Sequence, residues 1–208
     1  MWLLAVFALG AVVALVAWLR VKVPTGTTYI VATDSYLPPF EANGVGVIRI
    51  AIDRRARRFV ETSIARITAI GGDPSTQLRD VTQLLRRVRD VWVHGSAFAV
   101  PARRELFDQQ VADAKASTST GSALLVTIII ATRDENAIAT ITDPEELRKV
   151  LEAARHREDL VALEIACAPY DAVATLGDDK AFCADCGGPV LAELVSCPHC
   201  GVPTVRAA

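Results

Sequence analysis

Four cysteines near the end of the chain are the residues whose type and spacing could do chemistry. They follow a C-x2-C-x10-C-x2-C pattern and are Cys183, Cys186, Cys197 and Cys200. A two-residue gap lets both sulfurs of one pair reach a single ion about 2.3 Å away, and two such pairs complete a tetrahedron. A glycine follows each pair, Gly187 in the first knuckle (183–187) and Gly201 in the second knuckle (197–201), where it relieves crowding as the backbone amides turn toward the sulfurs. The spacing predicts a structural Zn2+ site held by the four thiolates.

These thiols could instead form two disulfide bonds or a redox-active pair. Two matched knuckles that both carry a glycine favour a metal, and the pattern resembles the short zinc ribbons appended to many bacterial proteins. Four thiolates also fill a tetrahedral shell, so no position remains for a catalytic water. His199, inside the second knuckle, is expected to be an exposed neighbour of the metal and not a ligand. We expect Phe182 and the pair Val190-Leu191 to pack over the metal, and Cys167 to be a buried strand residue.

An uninterrupted apolar run, WLLAVFALGAVVALVAWL, covers residues 2–19 and holds 18 residues without a charge. As a helix it would be about 27 Å long, close to the ~30 Å hydrocarbon core of a bilayer. Trp2 and Trp18 lie at its two ends, where indoles favour the lipid–water interface. A cleaved signal peptide is the alternative, but no Lys or Arg precedes the run and no clear small-x-small cleavage site follows it. The run therefore predicts a retained, single-pass transmembrane anchor.

The charges beside this run predict its orientation. Arg20 and Lys22 follow the run, and no basic residue precedes it, so the positive-inside rule leaves the N-terminus outside and the C-terminal bulk in the cytoplasm. The cysteines indicate the same orientation, because cytoplasmic thiols stay reduced and reduced thiols hold zinc. We therefore expect a protein of the cell membrane whose zinc ribbon lies in the cytoplasm.

Length and charge suggest how the chain is organised. Its 208 residues fit one ordinary domain with appendages. We predict a transmembrane anchor at 1–22, a tether at 23–44, an α+β domain at 45–180 and a zinc ribbon at 181–208. Residues 53–104 carry 11 basic and 5 acidic side chains, whereas residues 105–208 carry 8 basic and 17 acidic ones. Two such halves could dock on one another, the basic half could face anionic lipid or nucleic acid, or both could be solvated helix faces.

Hydrophobic periodicity predicts the order of elements within the α+β domain. Alternation and buried β-branched runs predict strands at 47–52, 124–132 and 160–167, with 137–141 pairing beside the second of them. Capping signals and apolar stripes predict helices that begin after Asp53, at Asp73-Pro74 and at Asp143-Pro144, with another at 102–115. The stripes of the first two helices consist of Ala56, Phe59, Val60, Ile64 and Ile67, and of Leu78, Val81, Leu85, Val88 and Trp92. The order β, three helices, β, β, α, β predicts an α+β fold with helices packed on a small mixed sheet.

Four segments of this domain resemble, in their order, a family of membrane proteins. They read VIRIAIDRRARRFVE, DPSTQLRDVTQLLRRVRDVW, LLVTIIIAT and EDLVALEIACAPYD. Together they resemble domain-of-unknown-function family 1517 over roughly residues 45–180. The better-known members of that family are thylakoid membrane proteins, one of them a plastid protein linked to acclimation of photosynthesis to fluctuating light. The resemblance implies a membrane protein and supplies no catalytic residues; the Trp of the family's late strand is absent here, and the zinc ribbon is an addition.

Motifs of enzymatic chemistry are missing from the sequence. The chain contains no G-x-x-x-x-G-K, G-x-G-x-x-G, H-E-x-x-H or G-x-S-x-G segment, and its three histidines lie in different parts of the chain. We therefore expect a protein that is not an enzyme and has no catalytic residues. The predicted function is that of a membrane-anchored protein-interaction or regulatory protein with a protein partner of unknown identity.

The alternative is a membrane-tethered module that binds nucleic acid or lipid. It is suggested by arginines that crowd the first turn of a predicted helix, Arg54, Arg55, Arg57 and Arg58. The tether would let this helix reach lipid headgroups, although Asp53, Glu61 or the acidic half of the chain could pair with the arginines instead. A nucleic-acid partner is disfavoured, because the ribbon has no Lys or Arg between Phe182 and Gly201 and phosphate binding needs cations.

Overall fold

The protein is described by a computed structural model that covers residues 41–116, 121–134, 140–171, 181–190 and 196–203. Its helices are α1 (Arg57–Ile70), α2 (Pro74–Arg87), α3 (Arg104–Lys115) and α4 (Pro144–Arg155), with a 3-10 helix at Arg89–Val91. Its strands are β1 (Gly44–Ile52), β2 (Trp92–Val100), β3 (Ala123–Thr132), β4 (Leu160–Tyr170), β5 (Ala181–Phe182) and β6 (Pro189–Val190). The predicted α+β class is confirmed.

The main sheet has the order β2-β1-β3-β4, and each neighbouring pair is antiparallel. The predicted mixed sheet is therefore wrong. The reason lies in the connections: α1 and α2 together return the chain to the end at which β1 stops, so β2 runs back alongside β1. Ile48 marks the register at the centre of the sheet, opposite Ala97 of β2 and Ile128 of β3.

Strand β2 begins at Trp92, the residue at which the stripe of the second predicted helix ends. Helix α2 stops at Arg87, and Trp92 begins β2, so the placement of Trp92 on the helical stripe is wrong. Its side chain still packs against the main core, and its indole nitrogen donates a hydrogen bond to the carbonyl of Leu85 at 3.2 Å. Because Trp92 follows Val88 by four residues, it extends the helical periodicity by one step although the backbone has already changed direction.

The predicted pairing of 137–141 with the strand at 124–132 is wrong for Ile141. Residues 135–139 lie outside the described residues, but Ile141 forms a bridge with Ala97 of β2. Strand β3 cannot accept another neighbour, because β1 and β4 already pair with its two edges.

The helices cover the two faces of the sheet unequally. Helices α1, α2 and α4 pack on one face and form the main core, in which Ile50, Ile64, Leu85 and Leu151 are fully buried. Helix α3 lies on the opposite face, where Phe107 belongs to a second cluster with residues of β1, β3 and β4. The start of α1 is therefore held on the main core, to which Ala56 and Val60 belong.

Across the described residues, no helix has both the length and the apolarity needed to cross a bilayer. The predicted anchor (1–22) lies outside the described residues, as does most of the predicted tether (23–44). Strand β1 begins at Gly44, the last residue of that tether, and the preceding Asn43 donates its backbone N–H to the carbonyl of Thr132 at 2.8 Å.

Candidate metal centre

Both cysteine knuckles have the same local backbone structure. In the first, the amide of Gly187 donates to the carbonyl of Cys183 at 2.9 Å; in the second, the amide of Gly201 donates to the carbonyl of Cys197 at 2.9 Å. The two glycines have φ values of 72° and 76°, a conformation that residues with a Cβ rarely adopt. Glycine therefore suits both positions because of this backbone conformation. The expected relief of crowding is not the reason, since a Cβ atom at Gly201 would meet nothing within 4 Å and one at Gly187 would come no closer than 3.4 Å to a neighbour.

The two knuckles bring the four predicted cysteines together. The Sγ atoms of Cys183 and Cys200 are 3.6 Å apart, those of Cys186 and Cys197 are 3.7 Å apart, and all four sulfurs lie within 4.8 Å of one another. A tetrahedron of sulfurs 2.3 Å from a central ion has edges of about 3.8 Å. All four cysteines are free thiols, and they are positioned to bind a metal ion.

Backbone amides stabilise negative charge on the sulfurs. The amide of Gly188 donates to Cys186 Sγ and the amide of His199 donates to Cys197 Sγ, each at 3.4 Å. Hydrogen bonds from the amides of Cys186 and Asp185 lower the pKa of the Cys183 thiol to about 7, whereas burial raises the pKa of the Cys186 thiol to about 12. A bound cation would have to displace the remaining protons, so metal affinity is expected to fall at acidic pH.

His199 and Phe182 connect the knuckles to the α+β domain. The ring of His199 lies 4.5 Å from the ring of Phe59 on α1, and its Nε2 atom is 3.0 Å from the carbonyl oxygen of Pro189. The guanidinium of Arg55 lies 4.6 Å from the centre of the Phe182 ring. A Cβ atom at Gly188 would lie 2.6 Å from the His199 ring, so glycine permits this close packing. The ribbon is therefore docked on the start of α1.

This docking corrects two predictions about individual side chains. His199 lies outside the group of four ligand cysteines, as predicted, but it is half-buried against Phe59 and is not an exposed neighbour. Phe182 packs against the main core of the domain and does not cover the cysteines. Val190 does form a small cluster with the cysteines, as predicted, whereas Leu191 lies outside the described residues. The apolar stripe of α1 predicts a core position for Phe59, but no local signal in the sequence predicts its contact with His199.

The remaining cysteine is separate from this centre. Cys167 is buried in β4, as predicted, and burial raises the pKa of its thiol to about 12. A thiol with that pKa stays protonated near neutral pH and reacts slowly.

Two of the four clustered arginines are paired within the domain. Arg55 Nε lies 3.0 Å from a carboxylate oxygen of Asp53, and Arg57 Nε lies 2.9 Å from one of Glu61. The predicted internal pairing is confirmed for these two, whereas the other two, Arg54 and Arg58, are exposed.

Asp53 does not cap α1, contrary to the prediction. The N-cap residue is Ala56, and the buried carboxylate of Asp53 instead accepts the backbone N–H of Arg55 at 2.8 Å. Three turn residues, 54–56, separate Asp53 from the first residue of α1, so the aspartate lies too far ahead of the helix to reach its free amides.

Comparison with protein-family models, with curated proteins and with solved structures gives no match. The resemblance to family 1517 therefore stays a prediction. The described residues form an α+β domain with four cysteines placed to bind a metal ion.

Proposed function

We propose that the chain is a membrane-anchored, non-enzymatic protein-interaction or regulatory protein whose C-terminal cysteines hold a structural zinc ion. Four thiolates at tetrahedral spacing favour Zn2+, because soft sulfur ligands and a closed shell suit this ion. Thiolates that occupy all four positions leave none for a substrate or a reactive water. The metal thus contributes to structure, and the ribbon is a rigid platform.

The observation that carries this proposal is the docking of the ribbon on α1. One side of the ribbon is in contact with Phe59 and Arg55, while Ala184 and Pro198, one in each knuckle, are exposed. A small unit that is fixed to a domain on one side and solvated on the other is suited to recognise another protein. The apolar run at 2–19 would hold this platform at the membrane, with the ribbon in the cytoplasm.

The test places a photo-crosslinking amino acid at Ala184, and in a second variant at Pro198, in the full chain expressed in its native cells. We expect one crosslinked product of discrete mass and, in the purified chain, one zinc ion per polypeptide. Changing all four ligand cysteines to serine is expected to abolish both results, because the knuckles do not close without the ion.

The matched control is Cys167→Ala, which removes a thiol that lies outside the metal-binding group. It should retain the zinc and the crosslinked product. Zinc in the wild-type chain without a crosslinked product at either Ala184 or Pro198 would contradict the interaction role. A wild-type chain that contains no zinc, or a Cys167→Ala chain that loses it, would contradict the assignment of the metal.

A further inference from the structure

A cleft lined by arginines lies between α2 and α4. Its volume is about 380 Å³, and it is lined by Gln83, Arg86, Arg87, Arg89, Arg148 and Arg155. Among the described residues no acidic side chain lines it, although Glu145 and Glu152 form ion pairs with arginines that do. A concentration of guanidinium groups of this kind is costly unless anions offset it.

The carboxylates nearby are too few for the arginines. Glu152 is paired with both Arg86 and Arg155, and Glu145 is paired with both Arg89 and Arg148, at 3.3 to 3.4 Å for the latter two. Four arginines thus share two glutamates. Asp90 adds one further carboxylate 3.7 Å from Arg89 Nε.

Some N–H donors of the arginines at the cleft also lack an acceptor in the part of the chain that the structure describes. The Nε atom of Arg155 is buried and has no hydrogen-bond acceptor among the described residues. Arg87 is exposed and forms no ion pair with any residue that the structure describes. Burial opposes ionisation of Glu152, yet the hydrogen bond from His156 and the charges of Arg86 and Arg155 lower its pKa. Its carboxylate is therefore shared among these three neighbours and does not offset the charge of the other arginines.

Helix polarity explains only some of these arginines. Arg86, Arg87 and Arg155 lie in the last turns of α2 and α4, where positive charge offsets the helix dipole. Arg89 follows the end of α2, and Arg148 lies in the first half of α4. The helix dipole therefore does not explain why Arg89 and Arg148 lie at the same cleft as the three arginines of the last turns.

We propose that this cleft binds a phosphate group, carried by a small soluble ligand or by a lipid headgroup. Guanidinium groups present paired N–H donors that match phosphate oxygens. A compact phosphate fits several arginines that converge from two helices better than an extended polyanion, which needs a continuous basic track.

The experiment titrates the full chain, in a non-ionic detergent at an ionic strength of about 150 mM, with pyrophosphate in a calorimeter. Arg87→Gln/Arg148→Gln is expected to weaken binding by about tenfold or more, because two charge-assisted contacts are removed. The matched control is Arg79→Gln/Lys149→Gln, which removes the same charge from the same two helices at positions outside the cleft. The control should bind within about twofold of the wild type.

Parallel titrations with inorganic phosphate and with glycerol 3-phosphate distinguish the two sources of the group. Tighter binding of glycerol 3-phosphate supports a lipid headgroup, and tighter binding of inorganic phosphate supports a soluble ligand. Absence of pyrophosphate binding at millimolar concentration would overturn the proposal, and so would an equal loss in the cleft variant and the control. Thermal melting of both variants shows whether each is folded, so a misfolded cleft variant is replaced by Arg87→Gln alone.

Discussion

At the scale of single residues, Glu164 shows how the domain handles a buried charge. This carboxyl group lies in β4 on the face covered by α3, and it is only 6% exposed. Burial raises its pKa, whereas a hydrogen bond and the charge of Lys115, whose Nζ atom lies 3.0 Å away, lower it; the net pKa is raised. The folded protein therefore binds this proton more tightly than the unfolded chain does.

We predict that Glu164 makes the protein less stable as the pH rises. Its contribution to the free energy of unfolding should decrease from the ordinary glutamate pKa of 4.5 upward, through the raised pKa of the folded state. Glu164→Gln removes this titration, so its stability should fall less with pH than that of the wild type. Urea denaturation between about pH 4 and about pH 7 measures the difference.

The control for this prediction is Glu158→Gln, which changes an exposed glutamate just before β4. Its pH profile should follow that of the wild type. If Glu164→Gln also follows the wild type, the burial of Glu164 has no energetic effect on titration and the prediction is wrong.

At the scale of elements, the sequence is most informative where local signals and burial agree. Asp73 accepts the backbone N–H of Thr76, and Asp143 accepts those of Glu145 and Glu146, so both predicted Asp-Pro starts are true helix caps. The buried strands β3 and β4 were predictable from continuous apolar runs. Strand β2 was not, because it is an edge strand with Gly95 and Ser96 at its centre and a half-exposed face that gives weak alternation.

The candidate metal centre was also predictable only in part. The cysteines and glycines were predictable, since ligand spacing is a local property of the chain. The packing of His199 on Phe59 was not, because it depends on where the ribbon meets α1 in space. Neither residue type carries a local signal for that contact.

We predict that this contact couples the ribbon energetically to α1. Aromatic pairs at this separation contribute about 0.5–1.5 kcal/mol beyond the area they bury. In the zinc-loaded full chain, a double-mutant cycle with Phe59→Ala and His199→Ala should therefore give a coupling free energy of about that size. The free energies of unfolding come from urea denaturation.

A second cycle with Phe98→Ala and His199→Ala provides the control. Phe98 packs on the other face of the sheet, in the cluster beneath α3, so these two changes should be additive within about 0.5 kcal/mol. Additivity in both cycles would mean that the ribbon and α1 are energetically independent, which would contradict the docked platform.

At the scale of the whole molecule, the basic and acidic halves of the sequence meet in the fold. The pairs Arg86–Glu152 and Arg89–Glu145 join residues of 53–104 to residues of 105–208. Docking of the two halves, one of the alternatives that the charge pattern leaves open, is thus observed at α2 and α4. These partly exposed pairs stabilise the fold only modestly, so the arginines left over at the cleft are available for a ligand.

The apolar run at 2–19 and the charges that follow it predict on which side of a membrane the C-terminus lies. With a reporter fused after Ala208 and expressed in a bacterium, a fluorescent protein should fluoresce and a periplasmic phosphatase should be inactive, because the positive-inside rule predicts that Arg20 and Lys22 retain the C-terminal bulk in the cytoplasm. Arg20→Gln/Lys22→Gln should raise phosphatase activity, whereas the charge-matched Lys180→Gln/Arg206→Gln should not, since its charges lie far from the apolar run. An active phosphatase on the unaltered chain would contradict the orientation. The four thiols would then lie in an oxidising compartment, where disulfide bonds would compete with zinc for them.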